Sequence, residues 1–232
     1  MSMFFRSAAI AAFLSLATQP AWAGPVTIVS PFGSFKVKAE SLNELRWESV
    51  VRQQYDFSCG SAAVATLLTY HYERPTSEAE VFESMINRGD ADKIRTYGFS
   101  MLDMKQYLDS QGLNSDGFRV KLEDFIGIGL PAITLINTGG YKHFVVIKGM
   151  DDGNVLVGDP AVGTVVVPKE HFETLWTGTV LGAREDMLLA KQYFNNDRDW
   201  QVRPNSPLQR GMQRSAIGSA MLPLPGRNEL GR

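Results

Sequence analysis

Residues 53–68 read QQYDFSCGSAAVATLL, and the chain changes character at Cys59. The polar residues before Cys59 predict a loop, whereas the small and apolar residues that follow, as far as Tyr72, predict a buried helix that begins at or just after Cys59. Unpaired N–H groups and the helix dipole at such an N-terminus stabilise a thiolate. Gly60 lets the backbone come close to a substrate. The stretch therefore predicts a reactive thiol at the start of a helix that packs tightly against a sheet.

Further along the chain, the sequence predicts first more helices and then a series of strands. Ser77 with Glu80, and Ser100 with Asp103, have the spacing of helix N-terminal caps. After them, short runs rich in β-branched and aromatic residues, separated by turns, predict an antiparallel meander. Helices followed by a sheet predict an α+β fold, with N-terminal helices packed on an antiparallel sheet. The expected strands are Phe118–Val120, Ala132–Ile136, His143–Ile147, Val155–Val157 and Thr164–Val167, then a helix at Lys169–Trp176 and a closing strand at Thr179–Arg184.

The N-terminus has the features of a secretory signal peptide. Arg6 precedes a short apolar stretch and the small-x-small site Ala21-Trp22-Ala23, which predicts that residues 1–23 are removed. An uncleaved membrane anchor is the alternative. We therefore expect an exported, periplasmic protein with no membrane span after cleavage.

The rest of the chain divides by composition. Residues 24–44 are expected to form an N-terminal extension, 45–185 the folded domain, and 186–232, which is rich in Arg and Pro towards its end, a largely disordered tail. The net charge is −2, and no Lys/Arg run of the kind that follows a phosphate backbone is present. We therefore expect no nucleic-acid partner.

Cys59 is the only cysteine, so no internal disulfide is available, and a lone thiol in an oxidising compartment must be used or hidden. A buried, inert thiol is the alternative. Of the three histidines, His71 lies about 18 Å away at the far end of the predicted helix, and His171 lies in a charged segment. His143 opens an apolar strand directly after Gly139-Gly140, which we interpret as a hairpin turn. His143 is therefore the candidate base for a thiol nucleophile.

Two further positions complete the candidate site. Pairing of the strand at 143–147 with the next strand, with a small bulge or offset, brings Asp159 within reach of His143, where it can orient the imidazole. A turn-forming aspartate before proline is the alternative. An oxyanion formed at Cys59 needs the backbone N–H of the nucleophile and a side-chain amide. Gln53 and Gln54 are near-equal candidates for that amide by position alone.

Three blocks of the chain together resemble the C39 peptidase family, papain-like cysteine proteases that cut leader peptides after a double glycine. The resemblance covers about residues 45–185 and implies a papain-like cysteine protease fold. It implies that Cys59 is the nucleophile, His143 the base and Asp159 the orienting group, and it favours Gln53 over Gln54 for the oxyanion. The blocks are Gln53…Cys59-Gly60-Ser61-Ala62-Ala63, Gly140–Ile147 and Val157–Pro160.

Two features depart from that family's pattern. Many members are N-terminal domains of cytoplasmic ABC exporters, whereas this chain begins with a predicted signal peptide and shows no Walker A motif. The family usually has Asp directly before the cysteine, where this chain has Ser58. The chain is therefore similar to stand-alone periplasmic C39-like proteins. Some of those are similar to accessory proteins of secretion systems, including systems that export functional amyloid.

The sequence thus predicts an exported cysteine endopeptidase that acts on a peptide or protein substrate. The resemblance implies that this substrate has a Gly-Gly type site or a Gly-rich sequence, and that the protein is linked to a secretion system. We expect no cofactor or metal, because one Cys and three scattered His do not have a zinc-site spacing. A non-catalytic peptide-binding module or secretion accessory protein is the alternative. Acyl transfer by the same residues is a third reading that the sequence does not separate from hydrolysis.

Overall fold

The computed structural model describes residues 26–30, 33–37 and 40–203, which belong to two units divided after Ser41. The first unit contains an antiparallel hairpin of β1 (Val26–Ser30) and β2 (Gly33–Val37). The predicted signal peptide lies outside the described residues. Within the described ranges, no helix combines the length and the apolar character that a membrane crossing requires.

The second unit contains helices and a six-stranded antiparallel sheet, so the predicted α+β class is confirmed. Its helices are α1 (Leu42–Trp47), α2 (Cys59–His71), α3 (Glu78–Arg88), α4 (Ala91–Tyr97), α5 (Met101–Ser110), α6 (Leu122–Ile128), α7 (Lys169–Leu175) and α8 (Met187–Gln192), followed by a 3₁₀ turn at Asp199–Val202. Its strands are β3 (Ser115–Arg119), β4 (Ala132–Thr138), β5 (Tyr141–Met150), β6 (Asn154–Asp159), β7 (Gly163–Pro168) and β8 (Trp176–Ala183).

Helix α2 is buried along most of its length and packs on β5. Its small side chains allow this close approach, since Ala62, Ala63 and Ala65 have no exposed surface. At the N-terminus, a Cβ added to Gly60 would lie only 3.0 Å from Cβ of Phe99. The small residues of α2 therefore let its first turn lie against the loop before α5. This first turn carries the thiol.

Both predicted helix caps are confirmed. The side chain of Ser77 accepts a hydrogen bond from the backbone N–H of Glu80 at 3.2 Å and begins α3. Ser100 and Asp103 form a full capping box at the start of α5. Such caps contribute about 1 kcal/mol each to helix stability. They fix the residues at which α3 and α5 begin. The cap of α5 also fixes the end of the loop that faces α2.

The strand order of the sheet is β3-β8-β4-β5-β6-β7. Strands β4 to β7 form the predicted meander, and the predicted turn between β4 and β5 consists of Gly139 and Gly140, both with positive φ. The prediction of one continuous meander is wrong at β3, because β8 lies between β3 and β4. Turn patterns reveal neighbouring hairpins, whereas the pairing of β8 joins distant parts of the chain.

The folded unit extends beyond the predicted boundary at residue 185. A C-terminal strap, residues 187–203, returns across the domain and buries Ala190 and Val202. Asn195 accepts a hydrogen bond from the backbone N–H of Met150 at 2.6 Å and donates to its carbonyl at 3.0 Å. The buried apolar residues of the strap are few and scattered, so hydrophobic periodicity gives no sign of it. The part of the predicted disordered tail from residue 204 onward lies outside the described residues.

Candidate active site

Cys59 is the first residue of α2, and its side chain is nearly buried, with 6% exposure. The loop before it is held by Ser58, whose hydroxyl accepts from the Tyr55 N–H at 3.1 Å and donates to the Tyr55 carbonyl at 3.0 Å. Because this hydroxyl is used within the loop, it does not cap α2. The first-turn N–H groups, which have no partner within the helix, remain beside the thiol.

His143 and Asp159 meet across β5 and β6. The two strands pair Val146 with Gly158, which places Asp159 diagonally opposite His143 on the same face. His143 Nε2 lies 2.7 Å from Asp159 Oδ1, and that oxygen also accepts from the Ala161 N–H at 2.7 Å. The pairing of the two strands contains a bulge between Ile147 and Gly149, in line with the bulge or offset expected from the sequence. The carboxylate therefore fixes both the position and the rotation of the ring.

The second ring nitrogen of His143 is not used by Asp159, which contacts Nε2. Nδ1 is buried, and no group in the described ranges meets hydrogen-bond geometry with it. Burial lowers the pKa of His143, but the hydrogen bond and charge of Asp159, together with the nearby Cys59, raise that pKa to about 9. The imidazole therefore stays protonated at neutral pH, and a neighbouring imidazolium favours the thiolate form of a cysteine.

Tyr141 is part of this site, although sequence reasoning did not single it out. Its ring stacks on that of His143 with centroids 5.9 Å apart, and its hydroxyl donates to the Asp56 carbonyl at 3.1 Å. Burial and the charges of Cys59, Asp56 and Asp159 raise the pKa of Tyr141. The alternation of β5 was the available signal, since residues 141 and 143 point to the same face. Tyr141 connects the loop before Cys59 to the strand that carries His143.

Gln53 lies next to the turn that carries Asp159. Its backbone N–H donates to the carbonyl of Pro160 at 3.0 Å, and its side-chain Nε2 donates to the Tyr55 carbonyl at 3.2 Å. Its Oε1 is buried and has no hydrogen-bond partner in the described part of the chain. Gln54 is exposed and forms no hydrogen bond with another described residue. The two glutamines that position alone left open therefore have different surroundings.

The other two histidines lie away from this arrangement. His71 is buried at the last residue of α2, where burial and the charge of Lys148 lower its pKa to about 3. His171 is exposed on α7. In residues 26–30, 33–37 and 40–203, no three His, Cys, Asp or Glu side chains are grouped to hold a metal ion.

A groove of about 910 Å³ leads to Cys59. One wall is formed by the end of α4, the following loop and the start of α5, over residues 95–101. The floor is formed by side chains of β3, β8, β4 and β5. The groove opens onto the thiol, since Cys59 is one of its lining residues.

The chain is similar to a known protein family and to two named proteins. The model of the peptidase C39 family matches residues 47–186. A protein of Pseudomonas fluorescens named "Probable functional amyloid protease FapD" is 38% identical over 169 residues, which are 72% of this chain and 75% of that protein. A protein of the same name from Pseudomonas aeruginosa is 39% identical over 168 residues, with 72% and 74% covered.

A solved structure shares the fold. The peptidase domain of Streptococcus ComA, described as a bi-functional ABC transporter involved in a quorum sensing pathway, matches with a TM-score of 0.51 at 21% identity. The match covers 58% of this chain and 96% of that domain. The predicted papain-like fold is confirmed.

Proposed function

This chain belongs to the peptidase C39 family, and from that membership we propose that it is an exported cysteine endopeptidase with Cys59, His143 and Asp159 as its catalytic triad. The observation that carries this proposal is the 2.7 Å contact between Nε2 of His143 and Asp159. It fixes the ring so that only Nδ1 remains for the thiol, and it contributes to the raised pKa of His143.

In the proposed reaction, the Cys59 thiolate attacks the carbonyl carbon of the scissile peptide bond. The resulting oxyanion is stabilised by the backbone N–H of Cys59 and by Nε2 of Gln53. The His143 imidazolium gives its proton to the leaving amine, and the C–N bond breaks to leave a thioester on Cys59. His143 then takes a proton from a water molecule that hydrolyses this thioester. Asp159 holds the ring in place and balances its charge through both steps.

We further propose that the protein acts in the periplasm on a peptide or protein substrate of a secretion system, at a Gly-Gly type site. Three points support this: the predicted signal peptide, the cleavage after a double glycine that is typical of the family, and the relatives from Pseudomonas that are named as probable functional amyloid proteases. A component of an amyloid-exporting system is the corresponding substrate class.

Replacement of the thiol tests this proposal. Mass spectrometry of exported proteins from cells that carry the wild type or Cys59→Ala should show cleavage products only with the wild type. Far-ultraviolet circular dichroism of both proteins checks that the fold is retained. If Cys59→Ala processes the identified substrate at the wild-type rate, the proposed mechanism is wrong.

Labelling with iodoacetamide separates the enzyme from a non-catalytic peptide-binding module. A thiolate held by an imidazolium reacts readily at neutral pH. We expect fast modification of Cys59 in the wild type and slower modification in His143→Ala. An unreactive Cys59 in the folded wild-type protein would favour the binding module.

A further inference from the structure

The groove that leads to Cys59 carries an excess of positive charge. Among the described residues that line it, the charged ones are the cations Arg95, Arg119 and Lys142 and one anion, Asp56. Because the groove is partly enclosed, these charges act in surroundings less polar than free solvent, where their field is concentrated. A substrate that lies in the groove therefore meets a positive potential beside the thiol.

Two of these cations have no counter-ion among the residues that the structure describes. In the described ranges, neither Arg119 nor Lys142 forms an ion pair. Other cations of the chain do form ion pairs: Lys105 lies 2.7 Å from Asp109, and Arg184 contacts Asp116. Arg119 and Lys142 are also exposed, so they can reach a bound peptide without breaking an existing contact.

The sheet sets the distance between these two cations. Arg119 lies on β3 opposite Thr179 of β8, and Lys142 lies on β5 opposite Asn137 of β4. Three strand-to-strand steps separate them in the order β3-β8-β4-β5. With about 4.8 Å per step and a small offset along the strands, their backbones are about 15 Å apart. An extended peptide covers that distance in about four or five residues.

The floor between them is neutral. The side chains of Leu135, Phe144, Thr177 and Thr179 line this part of the groove. The hydroxyl of Thr177 is already used, because it donates to the Leu135 carbonyl at 2.9 Å. A peptide with apolar or small residues in its middle and a negative charge near each end therefore matches the groove in both charge and spacing.

We propose that this groove selects peptide substrates with two acidic side chains about four residues apart beside the cleaved bond, and that Arg119 and Lys142 are the residues that recognise them. The proposal rests on the proposed peptidase function of the same site. The recognised chemistry is a pair of carboxylates on an extended chain, read by a guanidinium at one end and an ammonium at the other.

Binding of designed peptides to the full chain carrying Cys59→Ala tests the proposal, because this variant cannot cleave its ligand. The probes are fluorescein-labelled 12-residue peptides with one Gly-Gly pair and two Glu residues four apart, placed before the pair in one peptide and after it in another. Matched peptides replace both Glu by Gln or by Lys. Fluorescence polarisation at 0.15 M NaCl gives each dissociation constant.

We expect one Glu peptide to bind more tightly than its Gln counterpart by about fivefold per ion pair, and the Lys peptide to bind most weakly. Arg119→Gln and Lys142→Gln should each weaken the Glu peptide about fivefold and leave the Gln peptide unchanged. Arg88→Gln, which removes an exposed charge from the end of α3, is the matched control and should change neither.

Equal affinity for Glu and Gln peptides, no measurable binding of either Glu peptide, or an equal effect of Arg88→Gln would overturn the proposal. Its failure is distinguishable from failure of the peptidase function. Wild-type cleavage of Gly-Gly peptides without charge preference would reject the acidic selectivity and retain the enzyme. Acid-selective binding with an unreactive Cys59 would reject the enzyme and retain the selectivity.

Discussion

Nζ of Lys148 lies 2.9 Å from Oδ2 of Asp199, and Lys148 has no exposed surface. This pair joins the bulge of β5 to the 3₁₀ turn of the C-terminal strap. Lys148 also donates to the Ser49 carbonyl at 3.1 Å, and its stem lies against Gly158, where an added Cβ would be 2.9 Å from Cδ of the lysine. Since Gly158 directly precedes Asp159, the strap supports the strand end that carries the carboxylate in contact with His143.

Removal of one partner of this pair is expected to destabilise the domain strongly. Asp199→Ala leaves a buried ammonium without its counter-ion, which costs about 3–5 kcal/mol of unfolding free energy in comparable sites. Urea unfolding measures the change. Asp92→Ala, which breaks only the exposed pair with Arg95, is the control and should cost less than about 1 kcal/mol. The double change Lys148→Met/Asp199→Leu should recover most of the loss, and an Asp199→Ala protein as stable as the wild type would contradict the assignment.

The raised pKa of His143 predicts the alkaline limit of activity. Because the ring keeps its proton up to about pH 9, it can supply a proton to the leaving amine up to that pH, and activity should fall above it. Asp159→Asn removes a negative charge that raises this pKa. The alkaline limit should then move to lower pH, with kcat/KM reduced about 10²-fold or more.

Two measurements check this pH dependence: the pH–rate profile on the identified substrate, and NMR titration of the His143 ring. With only three histidines in the chain, the ring signals are readily assigned. An unchanged titration of His143 in Asp159→Asn would show that the carboxylate does not control the base.

The surroundings of the two neighbouring glutamines predict that they contribute differently. Gln53→Ala removes the side-chain amide whose Nε2 donates to the Tyr55 carbonyl, and kcat should fall about 10²–10³-fold because the proposed role of this amide is to stabilise the oxyanion. Gln54→Ala removes an exposed side chain and should leave kcat unchanged. Steady-state kinetics of the two variants, each with its melting temperature, compares them directly. Equal losses in both would remove Gln53 from the oxyanion site.

His71 predicts sensitivity of the fold to acid. Its pKa in the folded state, about 3, is below its ordinary value of 6.5, so the unfolded chain takes up a proton below pH 6.5 while the folded chain does not. Stability should therefore decline by about 1.4 kcal/mol per pH unit from pH 6.5 towards 3.

His71→Leu should remove this decline. The variant should be close to the wild type at pH 7, because neither ring nitrogen has a hydrogen-bond partner in the described part of the chain. Between pH 7 and 5, urea unfolding should show the wild type losing about 2 kcal/mol more than the variant. His171→Gln, at an exposed position, should behave as the wild type does. Parallel declines in all three proteins would mean that His71 titrates normally.

Much of the site was accessible from sequence because its parts are local. The change of character at Cys59 marks the start of a buried helix, and a hairpin between the strands of His143 and Asp159 places a carboxylate near an imidazole once a bulge is allowed. The roles of these residues, and of Gln53, stay predictions until the kinetic experiments are made.

Other features have no local signature. The strap is anchored by the pair of Lys148 and Asp199. Each residue alone would be expected at the surface, and the ion pair between them accounts for their burial. Helix α4 was not predicted because Ile94 is its one buried residue, too little for an apolar stripe. The insertion of β8 beside β4 depends on pairing between distant segments, which no turn motif encodes.

That insertion also affects the order in which the fold can form. Strand β3 finds its sheet neighbour only after β8 has been synthesised, so the sheet closes late and through non-local contacts, which form slowly. The thiol on α2 meets the imidazole on β5 only when helix and sheet have docked. A chain in which this helix and this sheet have not yet docked therefore lacks the proposed pairing of thiol and imidazole. The proposed activity therefore depends on completed folding of both layers.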